Sequence, residues 1–222
     1  MSVLATLPHG EPSLAGEVEG ASEPATARIG PNAITQVLDA LTDQTDEATR
    51  HAIIADADLL TYLDAPPTDM VDERQVVRLH QSVRTHLPGA AGLEVLRQAG
   101  DQTARYILAN RIPSPAKAVL RALPARFAAA GLLAAISKHA WTFVGSGRFT
   151  YRSGKPTHIT LTDCPACREV YGADEPSSYF EATFAGLFKA LVHPNAHITA
   201  VQRDQQNQAL PDGRARHFAF NW

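Results

Sequence analysis

The stretch at residues 135–149 (AISKHAWTFVGSGRF) marks a change in hydrophobic periodicity that divides the chain into two kinds of structure. Before it, apolar residues recur at helical spacing, and in residues 34–41 they fall at i, i+3, i+4 and i+7. After it, residues 157–162 (THITLT) alternate between apolar and polar, which is typical of a half-buried strand. The change predicts an α+β protein in which a helical layer is followed by an antiparallel sheet.

The centre of this stretch predicts two strands joined by a turn. Residues 141–144 (WTFV) have the aromatic and β-branched content of a strand, and residues 148–151 (RFTY) resemble a second one. Between them, residues 145–147 (GSG) suit a tight turn, because glycine adopts positive φ angles at low cost. Further along, residues 178–192 carry a stripe of Phe and Leu and predict one helix that covers the sheet, and residues 214–222 predict a last strand with an aromatic face.

These patterns predict three segments. Residues 1–27 are rich in Gly, Pro, Ala, Ser and Glu with little periodicity, so we expect a disordered acidic tail. Residues 28–125 are expected to be helical, and residues 126–222 to form an α+β ligand-binding region. A chain of 222 residues with 45% hydrophobic content can bury a substantial core, so we expect residues 28–125 and 126–222 to pack as one body.

Charge and hydropathy exclude several classes of protein. The chain has a formal net charge of -3 and a pI near 6.3, so it lacks the overall basic charge of a nucleic-acid binder. No apolar run reaches the ~18 residues of a membrane-spanning helix. Because no Lys or Arg precedes Arg28, the basic region of a signal peptide is missing, and we expect a cytoplasmic protein.

The two cysteines, Cys164 and Cys167, have the spacing of a metal knuckle or a redox pair. A metal site would need further ligands such as His158, His193 or His197. A redox motif would open a helix after a strand in a βαβ unit, which the sequence does not indicate. We favour two reduced, unliganded thiols and predict no metal site.

The sequence offers no recognisable cofactor site or catalytic constellation. Residues 145–147 lack the third glycine and the following helix of a dinucleotide-binding loop, and no Walker-type loop is present. We therefore predict no cofactor and assign no catalytic residue. Among the histidines, His139 ends a helix and either faces a pocket or lies on the surface, whereas His80 and His86 are expected to be solvated on a polar helix face.

Three separate motifs give the chain a family resemblance. Residues 28–34 (RIGPNAI), 109–113 (ANRIP) and 139–147 (HAWTFVGSG) together resemble the BchJ-type bacteriochlorophyll-biosynthesis family, over about residues 28–222. That family was named for reduction of the 4-vinyl group of a chlorophyllide precursor. The resemblance implies a vinyl-reductase-domain fold, similar to the Bet-type subunits of trafficking complexes, which holds a hydrophobic ligand. Related domains carry further cysteines near the last helix and the final hairpin, and this chain has none there.

Two functions follow from the resemblance, and we favour the first. The chain either binds a magnesium tetrapyrrole, such as magnesium protoporphyrin or divinyl protochlorophyllide, and passes it between pathway enzymes, or it is itself the 8-vinyl (4-vinyl) reductase. The expected partners are the porphyrin-binding subunit of magnesium chelatase and the following methyltransferase, and a homodimer is left open. We predict that the ligand lies in a cleft between the helical layer and the sheet, lined by His139, Trp141, Phe143 and Arg148. Trp141 and Phe143 would share one strand face.

Overall fold

The computed structural model describes residues 27–168, 178–200 and 215–222 and shows an α+β protein. The predicted tail, apart from residue 27, lies outside the described residues. The helices are α1 (Asn32–Gln44), α2 (Glu47–Asp56), α3 (Thr61–Asp64), α4 (Glu73–His86), α5 (Ala90–Asn110), α6 (Ser114–Ala122), α7 (Ala125–Lys138), α8 (Trp141–Val144), α9 (Pro165–Arg168) and α10 (Ser178–Leu191). The strands are β1 (Arg28–Ile29), β2 (Val71–Asp72), β3 (Arg148–Arg152), β4 (Thr157–Thr162), β5 (His197–Ala200) and β6 (Ala215–Asn221).

The strands form two antiparallel sheets. The small sheet pairs β1 with β2, so that the segment before α1 is fixed beside the segment before α4. The larger sheet has the order β3-β4-β6-β5, and each neighbouring pair is antiparallel. On β4, Thr157, Ile159 and Leu161 are buried and the residues between them are half-buried. The alternation predicted for residues 157–162 is therefore confirmed.

Side-chain caps and apolar faces explain where the first helices begin. The side chain of Asp46 accepts a hydrogen bond from the Thr49 amide (2.7 Å) at the start of α2, and Asp72 accepts one from the Arg74 amide (2.8 Å) at the start of α4. On α1 the apolar face of residues 34–41 is buried, as its spacing predicts. These faces give the helical layer its core.

Residues 141–144 form one turn of helix, α8, so the predicted strand is wrong. The Val144 amide bonds the Ala140 carbonyl (2.9 Å), and the Thr142 hydroxyl donates to the His139 carbonyl (2.7 Å). The Gly30 amide donates in turn to the Thr142 carbonyl (2.7 Å), which ties α8 to the start of the helical layer. These contacts override the β propensity of the segment. Residues 145–147 consequently join α8 to β3 instead of closing a hairpin.

Helix α10 lies between α5 and the larger sheet. On the α5 side the helices approach closely at two glycines: a Cβ at Gly100 would lie 2.2 Å from the Tyr179 carbonyl oxygen, and one at Gly186 would lie 2.6 Å from the Ala104 Cβ. On the sheet side, the Phe188 ring of α10 stacks on Phe220 of β6 with centroids 4.1 Å apart. The predicted covering helix is therefore confirmed, and it also occupies the space between the two layers.

Helix α5 is 21 residues long and carries charge on its outer face. The Arg97 guanidinium forms ion pairs with Glu94 (2.5 Å) and Asp101 (2.7 Å), and its pKa is raised by these two carboxylates. Across the described residues, none of the helices combines the length and the apolarity that crossing a bilayer requires.

Candidate ligand-binding site

The turn after α8 is held by a buried carboxylate. Glu73, the first residue of α4, is 4% exposed and accepts hydrogen bonds from the Ser146 amide (2.8 Å) and the Ser146 hydroxyl (2.7 Å). Gly145 has a φ of 56°, and a Cβ there would lie 2.1 Å from Glu73 Oε2. Glycine is required at this position for both reasons. The contact fixes α8 and the start of β3 against the helical layer.

The cysteine pair lies beside the same turn as a disulfide. A Cβ at Gly147 would lie 2.7 Å from the Cys164 amide nitrogen, so the turn packs directly on the backbone of this segment. Cys164 and Cys167 are buried and joined by a disulfide, with Cα atoms 4.9 Å apart. The expectation of two free thiols is wrong, because the turn that opens α9 brings the two side chains within bonding reach.

No metal centre is formed by the described part of the chain. Within residues 27–168, 178–200 and 215–222, no group of three His, Cys, Asp or Glu side chains is arranged to hold an ion. The sulfurs of the cysteine pair are bonded to each other.

An aromatic cluster fills the junction of α8, β3 and α10. The Phe143 ring of α8 lies 5.9 Å from Phe149 of β3, 6.0 Å from Phe180 and 6.3 Å from Phe184, measured between centroids. Phe184 continues the cluster to Phe218 of β6 at 5.9 Å. Phe143 and Phe149 are half-buried and form its outer edge, whereas Phe180 and Phe184 are buried. Such ring pairs add ~0.5–1.5 kcal/mol each beyond the area they bury.

A buried histidine extends the cluster into the helical layer. His80 of α4 is 3% exposed and meets the Tyr179 ring edge-on at 5.3 Å, and the Tyr179 hydroxyl forms a hydrogen bond with Thr103 (2.9 Å). Burial lowers the pKa of His80 to about 3, the nearby Arg84 acts in the same direction, and a backbone hydrogen bond with Ala33 opposes them. Burial likewise raises the pKa of Tyr179 to about 12.

The imidazole of His80 is therefore neutral, and one of its nitrogens is unpaired. Among the described residues Nε2 has no hydrogen-bond partner. The expectation that His80 is solvated is wrong. The sequence held a signal for its burial, since His80 follows Val76 by four residues and precedes Val83 by three, and both valines are buried.

The four predicted lining residues fall within one short segment but differ in exposure. Phe143 belongs to the aromatic cluster. Trp141 is 59% exposed, and His139, which caps the end of α7, and Arg148, at the start of β3, are exposed as well. The prediction that Trp141 and Phe143 share a strand face is wrong, because both lie on α8. Sequence reasoning left Phe149 out of this group, although its position in β3 was predicted.

An open cavity lies elsewhere on the molecule. It has a volume of about 590 Å³ and is lined by Arg28, Tyr62, Gln75 and residues 66–72. Two of its polar side chains bond within the cavity wall: the Tyr62 hydroxyl donates to the Gln75 side chain (3.0 Å), and the Arg28 guanidinium donates to the Met70 carbonyl. None of the four predicted lining residues borders it.

Two curated relatives match most of the chain, and no protein-family model matches it. The bacteriochlorophyll synthase 23 kDa chain of Rhodobacter capsulatus is 40% identical over 177 residues, which span 78% of this chain and 80% of that one. The bacteriochlorophyll synthase 23 kDa chain of Cereibacter sphaeroides is 39% identical over 172 residues, which span 77% of this chain and 82% of that one.

A solved structure shares the fold at low sequence identity. A point mutant of the H-NOX protein from K. algicida, in its Fe(II) unliganded form, superposes with a TM-score of 0.55 and 14% identity, covering 87% of this chain and 96% of that one. At this level of identity the likeness concerns the fold alone.

Proposed function

Because this chain belongs to the family of the bacteriochlorophyll synthase 23 kDa chains, the BchJ-type proteins of bacteriochlorophyll biosynthesis, we propose that it binds a magnesium tetrapyrrole intermediate and assists its transfer between pathway enzymes. The observation that carries the proposal is the aromatic surface where α8 meets β3. There the half-buried rings of Phe143 and Phe149 lie beside the exposed ring of Tyr151. Trp141 begins the same turn of helix as Phe143 and is 59% exposed.

This surface suits a broad, flat, apolar ring. Ligand sites are mostly apolar with a few placed polar groups, and aromatic side chains bind a conjugated macrocycle by stacking against its faces. The Tyr151 ring lies 6.0 Å from Phe149, so Tyr151 extends the row of rings along the exposed edge strand β3. Trp141, at the start of α8, has most of its surface free for a ligand.

The ends of the same segment supply the polar contacts that the ligand requires. Arg148 begins β3 beside Phe149 and can pair with a propionate carboxylate, which guanidinium groups bind through two parallel hydrogen bonds. His139 lies two residues before Trp141 and carries an exposed imidazole, the group we assign to the axial position of the magnesium. The buried imidazole of His80 contacts the Tyr179 ring at the inner end of the cluster.

The proposal extends to two finer points that rest on the resemblance. The first is the vinyl-reductase-domain fold, similar to the Bet-type trafficking subunits. The second is a pair of partners, the porphyrin-binding subunit of magnesium chelatase and the following methyltransferase, with a homodimer as a further assembly. A carrier needs neither a hydride donor nor a redox cofactor, in keeping with a sequence that has no dinucleotide loop.

Titration with magnesium protoporphyrin tests the proposal through two variants and a control. Trp141→Ala should weaken binding by ~30-fold or more, because truncating an aromatic side chain in a binding site costs at least about 2 kcal/mol. Trp141 is 59% exposed, so the variant should keep its fold. The matched control is Leu60→Ala, which truncates a 42% exposed side chain next to α3 and should leave binding unchanged.

Comparing the free diacid with the dimethyl ester of the same pigment isolates the role of Arg148. Arg148→Gln should weaken binding of the diacid by ~5-fold, since exposed ion pairs contribute up to ~1 kcal/mol, and should not affect binding of the ester. Equal losses for both pigments would contradict the assigned contact. Turnover of a divinyl pigment by the purified protein with a nicotinamide cofactor would overturn the carrier role in favour of the reductase.

A further inference from the structure

The charge of this chain is unevenly distributed along the sequence. Nine Lys and Arg residues and no Asp or Glu lie between Asp101 and Asp163, although the whole chain has a formal net charge of -3. This segment includes α6, α7, α8, β3 and β4. This segment is therefore strongly cationic, although the chain as a whole has a negative net charge.

Within the cationic part, three large apolar side chains are exposed at the junction of α6 and α7. Val119 is 59% exposed, Leu123 39% and Phe127 50%. No residue of α6 is buried. We call residues 119–127 the α6–α7 corner. In an ordinary soluble domain such residues are scattered singly, so three within nine positions indicate a surface that meets something apolar.

Two cations belong to this corner, and a third lies further along α7. The Arg126 guanidinium sits over the Phe127 ring at 4.5 Å, and Arg121 donates a hydrogen bond to the Ala190 carbonyl (3.0 Å). Lys138 lies on the same exposed face of α7 as Phe127, eleven residues and three helical turns further along. Within the described ranges of the chain, none of these three cations forms an ion pair with a carboxylate.

We propose that the α6–α7 corner docks on the surface of a membrane that contains anionic phospholipids. A bilayer interface presents negative headgroups above an apolar interior. Lys and Arg beside exposed Phe, Leu and Val match both layers, as in amphipathic helices that lie in the interface. Arg121, Arg126 and Lys138, which form no ion pair among the described residues, give the charge complementarity, and the aliphatic and aromatic side chains insert into the apolar layer. A protein partner with an acidic surface would satisfy the cations but has no special need for Val119, Leu123 and Phe127.

Flotation of the full chain with lipid vesicles tests the proposal. We expect the protein to float with vesicles of phosphatidylcholine mixed with phosphatidylglycerol and to stay behind with vesicles of phosphatidylcholine alone. Salt at ~1 M should weaken the binding strongly, because the Debye length falls to about 3 Å.

Two variants and one control connect the binding to the corner. Replacing both Leu123 and Phe127 by Ser should reduce vesicle binding more than tenfold, and replacing both Arg126 and Lys138 by Gln should reduce it by roughly fivefold for each charge. Leu60→Ser also removes an exposed apolar side chain, 42% exposed, but lies outside the cationic segment and should leave vesicle binding unchanged. Circular dichroism checks that each variant keeps its helical content.

Several outcomes would overturn the proposal. Equal binding to both kinds of vesicle, or none to either, contradicts an anionic membrane as the partner. An equal loss with Leu60→Ser contradicts the corner as the site. Sedimentation that shows a dimer abolished by the double Ser variant would assign the corner to a second copy of the chain instead. None of these results depends on pigment binding, which is measured separately.

Discussion

Replacing Gly100 by Ala should destabilise the protein, although the same replacement usually stabilises a helix. Gly100 lies in the middle of α5, where Ala has the higher helix propensity by ~1 kcal/mol. However, the new methyl group would lie 2.2 Å from the Tyr179 carbonyl oxygen and 2.9 Å from the Ala182 Cβ on α10. Relief requires α10 to shift away from α5, since a backbone carbonyl cannot rotate aside.

The magnitude follows from these two opposing effects. Overpacking costs ~1–3 kcal/mol, and the first distance places this contact at the upper end of that range. Subtracting the propensity gain leaves a loss of about 2 kcal/mol, which lowers the Tm of a domain of this size by ~4–8 °C. Thermal unfolding followed by circular dichroism measures the shift.

Gly131→Ala is the matched control. Gly131 is also helical but exposed on α7, and its nearest neighbour would be the flexible Leu120 Cδ2 at 3.3 Å. We expect its Tm to stay the same or rise by ~2–4 °C. At the second close contact, Ala104→Gly should recover much of the stability lost in Gly186→Ala, because the two Cβ positions are 2.6 Å apart. If Gly100→Ala raised the Tm as Gly131→Ala does, α10 would not lie against α5 as described.

Three further predictions concern buried polar groups and the cysteines. The pKa of His80 is about 3 in the folded protein and 6.5 in the unfolded chain, so unfolding takes up a proton between these pH values. The free energy of unfolding should therefore fall as the pH drops from about 6.5 towards 3, by up to ~1.4 kcal/mol per pH unit. In urea titrations at several pH values, His80→Leu should show a weaker dependence of this free energy on pH. Ser146→Ala removes a hydrogen bond to the buried Glu73 carboxylate and should cost ~1.5–3 kcal/mol in the same assay. A zinc chelator should leave the circular dichroism unchanged, and a thiol reagent added to the unreduced, denatured chain should find neither Cys164 nor Cys167 free.

The spacing of apolar residues was sufficient to predict the helices and strands that bury one regular face in the core. The apolar face of α1 and the alternation on β4 are buried as their spacing indicates. The aromatic side of the last strand is confirmed by Phe218 and Phe220, which are both buried. In each case, one side of a regular element faces the core, and the spacing alone identifies that side.

Long-range contacts decided the parts that local sequence did not predict. Residues 141–144 have strand-like content, but the segment becomes α8 because Gly30 bonds its backbone and Glu73 holds the turn that follows. Likewise, the spacing in α10 predicts a buried stripe but cannot show that a second face packs on α5 through Gly186 and Gly100. Because these contacts make residues 141–144 a helix, they also decide two of the predicted lining residues: Phe143 enters the aromatic cluster and Trp141 is exposed.

Quenching of Trp141 by pigment tests the central claim most directly. The chain has two tryptophans, so Trp222→Phe leaves Trp141 as the single tryptophan reporter. On titration with magnesium protoporphyrin, we expect the fluorescence to fall and to saturate at one pigment per chain, while the pigment's absorption bands shift. A fluorescence that stays constant, together with an unshifted pigment spectrum, would contradict tetrapyrrole binding at the junction of α8 and β3.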